Sequence, residues 1–480
     1  MSERKAPKVI DKDELLKQKQ ITRRIRENNE LEHLKTGKRK YMHIITFGCQ
    51  QNNSDSEKIK GMLSEMGYTD TEKKEQADVI IINTCCVREN AELKLYGNIG
   101  ALKQLKLDNP SLIIGVCGCM MQQEHAVAMI KKKYRHVDLI FGTHNVYKLP
   151  ELLERSMDEK YTLIDILNTE GTIVEDLPVL REETFKAWVT IMYGCNNFCS
   201  YCIVPHVRGR ERSRKPEDII KEIRDLAKDG CKEVTLLGQN VNSYGKDLEL
   251  EVDFADLLKM VNDIEGIERI RFMTSHPKDI SDKLIYTMRD CSKVCEQLHL
   301  PFQAGSNEIL RRMNRKYTKE EYLNRVNKAK QKIQGVALST DIIVGFPGET
   351  DKDFEETLDV LRQVEFDQVF MFIYSRRVGT PAADLEDPYS YEEKHRNFDK
   401  LVKLQNEISK KANDAYLGKE VEVLVEGLSK NDPSKYTGRT RTGKVVNFNG
   451  AEGIIGKLVY VNINEVHSWF LNGNMVNEVK

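Results

Sequence analysis

The stretch CNNFCSYC, from Cys195 to Cys202, places three cysteines in C-x3-C-x2-C spacing, with Cys199 in the middle. Thiolates three and four positions apart on one tight loop can converge on a single metal centre, but they cannot easily form disulfides with one another. A [4Fe–4S] cluster is normally held by four cysteine thiolates. A loop that offers three of them therefore predicts a cluster with one iron open to a small molecule.

Zinc is the main alternative for this loop. His206 lies four positions after Cys202, so the segment also has the pattern C-x3-C-x2-C-x3-H. A Cys3His set can bind a structural zinc ion tetrahedrally. Structural zinc sites usually stabilise small modules, whereas this loop belongs to a long chain that can bury its own cores. The pattern favours the cluster and leaves a non-catalytic, zinc-containing RNA-binding protein as the alternative.

The composition is that of an ordinary globular protein, with 480 residues, 40% hydrophobic and 31% charged. The sequence contains no run of about 18 apolar residues and no apolar secretory signal, so we expect a cytoplasmic protein without a membrane span. In that reducing compartment, the 11 cysteines favour metal or catalytic use over disulfides. A formal net charge of −1 excludes a uniformly basic nucleic-acid binder but allows local basic patches.

The chain divides into regions of different pattern. Residues 1–40 are dense in charge and poor in large apolar side chains, which predicts a flexible tail that is either mobile or loosely helical. Residues 41–158 alternate apolar strands with helices, which predicts a parallel α/β sheet covered on both faces. Residues 181–411 contain about six β/α units, which predicts a partial (β/α)6 barrel. Residues 414–480 contain short, closely spaced strands, which predicts a small antiparallel β-barrel.

Three further cysteines follow three different strands of the predicted N-terminal sheet: Cys49, Cys85 and Cys119. Ligands in open α/β sheets bind beyond the carboxyl ends of the strands. We therefore expect these thiols to meet in a second metal site, although buried cysteines that serve only as small apolar residues are the alternative. The neighbouring Cys86 and Cys117 have no predicted ligand role.

Two groups of basic residues predict contacts with RNA. Four arginines alternate just after the cysteine loop, where they would neutralise phosphates. The C-terminal barrel interleaves cations with an aromatic ring, as is typical of small barrels that bind nucleic acids. A solvated charged surface is the alternative for both groups. The residues are Arg208, Arg210, Arg212 and Arg214 in the first group, and Lys435, Arg439, Arg441 and Phe448 in the second.

The cysteine loop resembles that of radical S-adenosylmethionine enzymes, and the resemblance to their methylthiotransferase family covers all but the first 40 residues. FGCQQNNSDSE, NTCCVRE and GCMMQ are similar to that family's N-terminal cluster-binding segments. YGCNNFCSYCIVPHVRGRERSR, LLGQNVNSYG, TSHP, LHLPFQAGS and GFPGET are similar to its radical domain, and the C-terminal region resembles its RNA-binding TRAM domain. Gln51 replaces a usual methionine and Cys117 a usual glycine, which makes Cys117 a competitor for the role of Cys119.

The resemblance implies an enzyme with two [4Fe–4S] clusters. The first, on Cys195, Cys199 and Cys202, would bind S-adenosylmethionine through its amino and carboxylate groups and generate a 5′-deoxyadenosyl radical. The second, on Cys49, Cys85 and Cys119, would carry the sulfur that is methylated and transferred. Each turnover would use two molecules of S-adenosylmethionine, one as methyl donor and one as radical source. Polar residues at later strand ends are candidates for binding this cofactor: Gln239, Asn240, Ser275, Gln303, Ser306 and Asp341.

The resemblance also indicates a substrate. LLGQNVNSYG and YTGRT are most similar to the family members that act on N6-isopentenyladenosine. We therefore expect methylthiolation at C2 of that nucleoside at position 37, in the anticodon stem-loop of tRNA. The alternatives are N6-threonylcarbamoyladenosine 37 and an aspartate of a ribosomal protein. We expect a monomer that uses an electron donor protein and a sulfur-supply system.

Overall fold

The computed structural model describes residues 10–86, 89–159, 161–167 and 172–479. The chain forms two compact units. The N-terminal unit consists of Met1–Glu182, Met192–Asn196 and Cys202–Arg214, and the larger unit of Glu183–Ile191, Asn197–Tyr201 and Lys215–Lys480. None of the helices in the described ranges is both long enough and apolar enough to cross a membrane.

The N-terminal unit contains a six-stranded parallel sheet in the order β2-β1-β3-β4-β5-β6. Its strands are β1 (Lys40–Phe47), β2 (Tyr68–Asp70), β3 (Val79–Thr84), β4 (Ile113–Gly118), β5 (Leu139–Phe141) and β6 (Leu163–Asp165). The helices are α1 (Lys12–Thr36), α2 (Gln50–Glu65), α3 (Glu89–Asp108), α4 (Glu124–Lys133) and α5 (Leu149–Asp158).

The central strand β3 explains why this sheet lies inside the unit. All six of its residues, VIIINT, are buried. Ile80 and Ile82 pack with apolar residues of α3 and α4 on one face, whereas Val79 and Ile81 pack with those of α1, α2 and α5 on the other. Continuous apolar strands are typical of a parallel sheet that is covered on both faces. The predicted α/β sheet is therefore confirmed.

The described part of residues 1–40 is helical, which is one of the two predicted alternatives, but the helix packs on the rest of the unit. Residues 12–36 form the helix α1, which Asp11 caps by accepting a hydrogen bond from the Asp13 amide. Ile21 and Ile25, one helical turn apart, are buried among apolar residues of α2, α5 and the sheet. Two apolar residues are enough to pack α1 onto the unit, because the apolar surface that they contact belongs to segments far along the chain.

The larger unit contains the predicted partial barrel, whose six parallel strands form the sheets β11-β10-β7 and β12-β13-β14. These strands are β7 (Lys186–Thr190), β10 (Glu233–Leu237), β11 (Arg269–Phe272), β12 (Gln297–His299), β13 (Ala337–Val344) and β14 (Gln368–Ile373). Between β7 and β10, the short strands β8 (Met192–Tyr193) and β9 (Arg212–Ser213) and the helix α6 (Val204–Arg208) belong to the N-terminal unit.

Helices follow the barrel strands, as the alternating sequence pattern predicts. They are α7 (Pro216–Lys228), α8 (Phe254–Asn262), α9 (Asp282–Asp290), α10 (Asn307–Arg312), α11 (Lys319–Lys332), α12 (Asp351–Val364) and α13 (Tyr391–Asp414).

A closed five-stranded barrel, in the order β15-β16-β17-β19-β18, ends the chain. Its strands are β15 (Glu420–Leu428), β16 (Tyr436–Thr440), β17 (Val445–Asn449), β18 (Leu458–Val466) and β19 (Leu471–Glu478). The predicted small β-barrel is confirmed. Four of its five strand pairs are antiparallel, and the exception is the parallel pair β17–β19 that closes it.

Candidate metal centres and RNA-binding surface

Cys195 begins the three-cysteine loop directly after β8, in the N-terminal unit. Its amide donates a hydrogen bond to the Gly209 carbonyl at 3.1 Å. Gly194 has φ +77°, and a Cβ atom there would lie 2.0 Å from the Arg210 carbonyl oxygen. Only glycine fits this turn without movement of the backbone. The close contact between Gly194 and the Arg210 backbone determines the position of Cys195 after β8.

Cys199, the middle cysteine, is buried in the larger unit beside a buried arginine. Arg315 donates from Nη1 to the Cys199 sulfur at 3.4 Å, and its other nitrogens donate to the Tyr317 hydroxyl at 3.0 Å and the Pro301 carbonyl at 2.7 Å. The guanidinium thus donates directly to the sulfur of a cysteine that the sequence predicts as a ligand. Nothing in the spacing of the sequence singles out Arg315.

The fold brings the scattered cysteines of the N-terminal unit together. Cys49 is the N-cap residue of α2, Cys85 follows β3, and Cys119 follows β4, all at the carboxyl edge of the sheet. A hydrogen bond from the Cys85 thiol, together with the positive charge of Arg208, lowers the pKa of Cys49 to about 6 despite burial. The three segments therefore end at the same edge of the sheet, where Cys49 and Cys85 are in contact, and their role as cluster ligands stays a prediction.

Arg208 connects this cysteine group to a buried carboxylate. Its Nε donates to the Cys119 sulfur at 3.0 Å and its Nη2 to Asp55 Oδ2 at 2.6 Å. A hydrogen bond from Cys86 and then the charge of Arg208 lower the pKa of Cys119. The arrangement holds two of the three predicted ligands toward the thiolate form. The residues present thus fit an iron–sulfur cluster in their donor chemistry.

Cys86 and Cys117 behave differently from each other. Cys86 contacts Cys119, and that hydrogen bond raises the pKa of the Cys86 thiol, so Cys86 acts as the donor to its neighbour. Cys117 packs with Ile81 and Leu139 on the opposite face of the sheet from Cys119. Cys117 is therefore poorly placed to compete with Cys119, because the strand ends at Gly118, whose φ of +101° turns the chain before Cys119.

No group of three or more His, Cys, Asp or Glu side chains within the described ranges is close enough to bind a single metal ion. A structural zinc ion needs four ligands, each cysteine sulfur about 2.3 Å from one centre. In a cluster, by contrast, each cysteine bonds a different iron.

Several polar side chains at the ends of β10 and β11 have a buried atom without a hydrogen-bond partner. Buried atoms without a hydrogen bond include Asn240 Oδ1 and Ser275 Oγ, both among the predicted cofactor-binding residues. Asn242 and His276, which the sequence analysis missed, also have such atoms. Burial lowers the pKa of His276 to about 2, so its ring stays neutral. Buried polar groups without partners are uncommon in folded proteins, so this group fits a polar ligand such as S-adenosylmethionine.

The other predicted cofactor-binding residues have roles within the fold. Ser306 is the N-cap of α10 and also donates to Asp353. The Gln303 amide donates to the Asp341 carbonyl at 3.0 Å, and a backbone conformation of φ +72° bends the chain there. The Asp341 carboxylate lies 3.7 Å from His299 Nε2. Gln239 is half-buried.

Three of the four arginines after the loop are buried, so the prediction that they neutralise RNA phosphates is wrong for them. Arg208 pairs with Asp55 as described, and Arg214 pairs with Glu175 at 2.5 Å. Arg212 donates to backbone carbonyls. Arg210 is exposed. Three of these four side chains are buried because the segment that carries them packs into the N-terminal unit instead of lying on its surface.

In the C-terminal barrel, fewer of the predicted RNA-binding residues are exposed than expected. Phe448 is fully buried in the barrel core, so its proposed stacking on a base is wrong. Arg441 pairs with Glu296 of the larger unit's partial barrel through two nitrogens at 2.8 and 2.9 Å. Arg439 is exposed, and Lys435 is half-buried. Trp469 is 57% exposed and was missed by the sequence analysis, although SWF in a turn between strands was the available signal.

Three family profiles match the chain. The Radical SAM superfamily matches residues 189–361, the Uncharacterized protein family UPF0004 residues 41–142, and the TRAM domain residues 414–476. Among solved structures, the radical S-adenosylmethionine methyltransferase TsrM from Kitasatospora setae has a TM-score of 0.52 at 11% identity and covers 72% of this chain and 74% of its own. At that identity the likeness concerns the fold alone.

Curated relatives match almost the whole length. A tRNA-2-methylthio-N(6)-dimethylallyladenosine synthase from Acetivibrio thermocellus is 58% identical over 97% of both chains. The proteins of the same name from Thermoanaerobacter sp. and Clostridioides difficile are 56% and 55% identical, over 98% and 99% of this chain and 99% and 100% of their own.

A partial parallel barrel that carries a C-x3-C-x2-C loop defines a radical S-adenosylmethionine enzyme, a class that implies a [4Fe–4S] cluster and S-adenosylmethionine. More narrowly, the chain belongs to the family of tRNA-2-methylthio-N(6)-dimethylallyladenosine synthases.

Proposed function

We propose that this protein transfers a methylthio group to C2 of N6-isopentenyladenosine at position 37 of tRNA. The observation that carries the proposal is the meeting of Cys49, Cys85 and Cys119 at one edge of the N-terminal sheet. A radical enzyme that only abstracts hydrogen needs one cysteine set, whereas sulfur insertion needs a second place for sulfur. The full-length identity to relatives named for this product supports the choice of substrate.

Each cysteine set has a proposed cofactor. Cys195, Cys199 and Cys202 would bind the cluster that uses S-adenosylmethionine, and Cys49, Cys85 and Cys119 would bind an auxiliary [4Fe–4S] cluster. With these groups bound, the chemistry supplied is one-electron cleavage of S-adenosylmethionine to a 5′-deoxyadenosyl radical and storage of the sulfur to be transferred. A radical suits this task because the aromatic C2–H bond does not react by ordinary acid–base chemistry.

The protein's own residues prepare and protect this chemistry. Arg208 favours the thiolate form of Cys119, since its guanidinium donates directly to that sulfur, and Arg315 donates to the Cys199 sulfur. The unpartnered atoms of Asn240, Asn242 and Ser275 would bind the polar groups of S-adenosylmethionine. Two molecules of that cofactor per turnover would serve as methyl donor and radical source.

We infer that the exposed cations Arg210 and Arg439, together with Trp469, contact the anticodon stem-loop. Cations neutralise phosphates, and an exposed indole provides a surface on which an unpaired base can stack. The enzyme would act as a monomer in the cytoplasm, where its tRNA substrate is available, and would depend on an electron donor protein and a sulfur-supply system.

Nucleoside mass spectrometry of tRNA from a strain that lacks the gene tests the substrate. The expected result is that 2-methylthio-N6-isopentenyladenosine disappears and N6-isopentenyladenosine accumulates. Complementation with the wild-type gene is the control. Persistence of 2-methylthio-N6-isopentenyladenosine, with loss of the methylthio derivative of threonylcarbamoyladenosine, would show that the alternative tRNA substrate is correct. Loss of methylthio-aspartate from a ribosomal protein would show the second alternative.

A further inference from the structure

The end of α10 and the segment that follows it hold the three-cysteine loop on both sides of Cys199. The Asn314 side chain donates to the Phe198 carbonyl at 2.8 Å. The Ser200 amide donates to the Met313 carbonyl at 3.0 Å, and the hydroxyl of the same serine donates to the carbonyl of the last residue of α10 at 2.8 Å. The backbone around the middle cysteine is therefore fixed by one segment of the larger unit.

Arg315, in that segment, is buried and donates from each of its nitrogens. Its Nη1 donates to the Cys199 sulfur at 3.4 Å. Its Nε donates to the Tyr317 hydroxyl at 3.0 Å and its Nη2 to the Pro301 carbonyl at 2.7 Å. The tyrosine is itself fixed, because its hydroxyl donates to the Phe302 carbonyl at 2.9 Å. Two bonds thus hold the guanidinium in place while the third is directed at the sulfur.

The charge of Arg315 is not balanced by a side chain of the barrel. Among the carboxylates that the structure describes, none forms an ion pair with it. A buried cation without a paired anion is costly. Cysteine binds iron as a thiolate, so a cluster on the loop would place negative charge beside this guanidinium. The arrangement therefore suits a negatively charged group at the Cys199 sulfur.

We propose that Arg315 is a positioning residue that raises the reduction potential of the cluster assigned to Cys195, Cys199 and Cys202. The inference rests on the proposed function, which places that cluster on the loop. Hydrogen bonds to the ligating sulfurs help to set the potential of an iron–sulfur cluster. Reduction adds one electron and thus one negative charge, so a cationic donor at a sulfur stabilises the reduced form more than the oxidised form. A weaker external electron donor then suffices to reduce the cluster.

Anaerobic redox titration of the full-length, cluster-loaded protein, followed by electron paramagnetic resonance, tests this proposal. The signal that changes when S-adenosylmethionine is added identifies the cluster of the loop. Arg315→Met keeps an aliphatic stem but removes the donor. The reduction equilibrium should shift about tenfold toward the oxidised form, which is about 59 mV for a one-electron couple. Arg315→Lys keeps the positive charge and should recover part of that shift.

Arg312→Met is the matched control from the end of α10. The Arg312 side chain donates to the Pro347 carbonyl at 3.0 Å and to Glu308 at 3.1 Å. Its replacement removes an arginine close to Arg315 in the chain but leaves the contact with the Cys199 sulfur intact. The potential should stay at the wild-type value. Iron content, measured for every variant, establishes that the clusters are loaded equally.

Three outcomes would overturn the role of Arg315. They are an unchanged potential in Arg315→Met at equal iron content, an equal shift in Arg312→Met, and no recovery in Arg315→Lys. A merely structural role would lower stability or iron content without moving the potential, so the first outcome separates the two roles.

A measurement on the wild type decides the matter even if Arg315→Met binds no iron. In protein that contains arginine labelled with the heavy nitrogen isotope, pulsed electron paramagnetic resonance should detect a nitrogen coupling in the signal that responds to S-adenosylmethionine. Absence of that coupling would overturn the role of Arg315 alone. Absence of any signal that responds to the cofactor would overturn the cluster assignment and this inference together.

Discussion

Cys195, Cys199 and Cys202 lie within one short loop, whereas Cys49, Cys85 and Cys119 come from three segments that the N-terminal sheet brings to one edge. Local spacing specifies the first set, because few residues separate the thiols. The second set depends on the register of β1, β3 and β4, which pair in parallel along their lengths. A defect in the sheet should therefore damage the second set while leaving the first intact.

Each set also has one buried arginine at a sulfur, and the two arginines differ in their other partners. Arg208 forms an ion pair with Asp55, so its charge is balanced without Cys119. Arg315 donates to the Tyr317 hydroxyl, the Pro301 carbonyl and the Cys199 sulfur, and no carboxylate among the described residues pairs with it. The arginine at the loop thus lacks a carboxylate partner, whereas the arginine at the sheet site belongs to a buried ion pair.

Removal of each cysteine set in turn should produce the largest effects. Replacing Cys49, Cys85 and Cys119 together by alanine should abolish methylthio transfer and remove about half of the iron. Cleavage of S-adenosylmethionine to 5′-deoxyadenosine should continue, because the other set is intact. Iron analysis and product chromatography of anaerobically purified protein measure both quantities.

The reciprocal triple replacement of Cys195, Cys199 and Cys202 is the matched experiment. It should also remove about half of the iron, but it should abolish cofactor cleavage. Unchanged iron in the Cys49/Cys85/Cys119 variant would eliminate the auxiliary cluster from the mechanism.

The arginines should differ in their effect on the stability of the cluster-free protein. Arg208→Met leaves Asp55 buried without its partner, which should lower the free energy of unfolding by about 3–5 kcal/mol. Arg315→Met leaves only neutral acceptors and a thiol, which should cost about 1–3 kcal/mol. Urea denaturation followed by circular dichroism provides the comparison.

Arg24→Met removes an exposed pair with Glu154 and is the control for loss of an arginine as such, with a much smaller change expected. If Arg315→Met were the more destabilising of the two buried replacements, the contrast between the two arginines would be incorrect.

Glycine replacement tests the sheet site at its closest backbone contact. Gly118 precedes Cys119 with φ +101°, and a Cβ atom there would lie 2.3 Å from the Thr84 carbonyl oxygen. Gly118→Ala should therefore force β3 and β4 apart, at a cost of about 1–3 kcal/mol in unfolding free energy, and should reduce iron bound by the auxiliary set.

Gly37→Ala separates backbone strain from lack of space. Gly37 has φ +71°, but a Cβ atom added there would have nothing within 4 Å. The expected cost is about 1 kcal/mol, with iron content unchanged. Equal effects of the two replacements would mean that the contact between β3 and β4 does not control the site.

The smallest effects should come from the two extra cysteines. Cys117→Ala should cost about 1 kcal/mol of packing and leave iron unchanged, because its side chain lies on the other face of the sheet. Cys86→Ala should also retain iron, with a small rise in the pKa of Cys119 as its hydrogen bond is lost. Iron loss in Cys86→Ala, at a level seen for Cys119→Ala, would make Cys86 a ligand.

Much of the fold followed from periodicity, and the errors have identifiable causes. Runs such as VIIINT have few structural alternatives to a buried strand, so the sheet, the partial barrel and the final barrel were predictable. The packing of the helix α1 was not, because Ile21 and Ile25 bury their surface against segments far along the chain. Phe448 was assigned to a surface because aromatic and basic residues alternate around it, yet a closed barrel turns one side of every strand inward.

The sequence by itself determined the proposed donor set: six cysteines whose spacing or position after strands is typical of ligands, and a chain pattern that places them on α/β folds. Only the tertiary structure decided which charges accompany them. Arg208 reaches Cys119 and Asp55 from 89 and 153 residues away, and Arg315 reaches Cys199 from 116 residues away. Such pairings depend on how elements pack in three dimensions, and an arginine's charge alone does not indicate whether it meets a buried thiol, a carboxylate or an RNA phosphate.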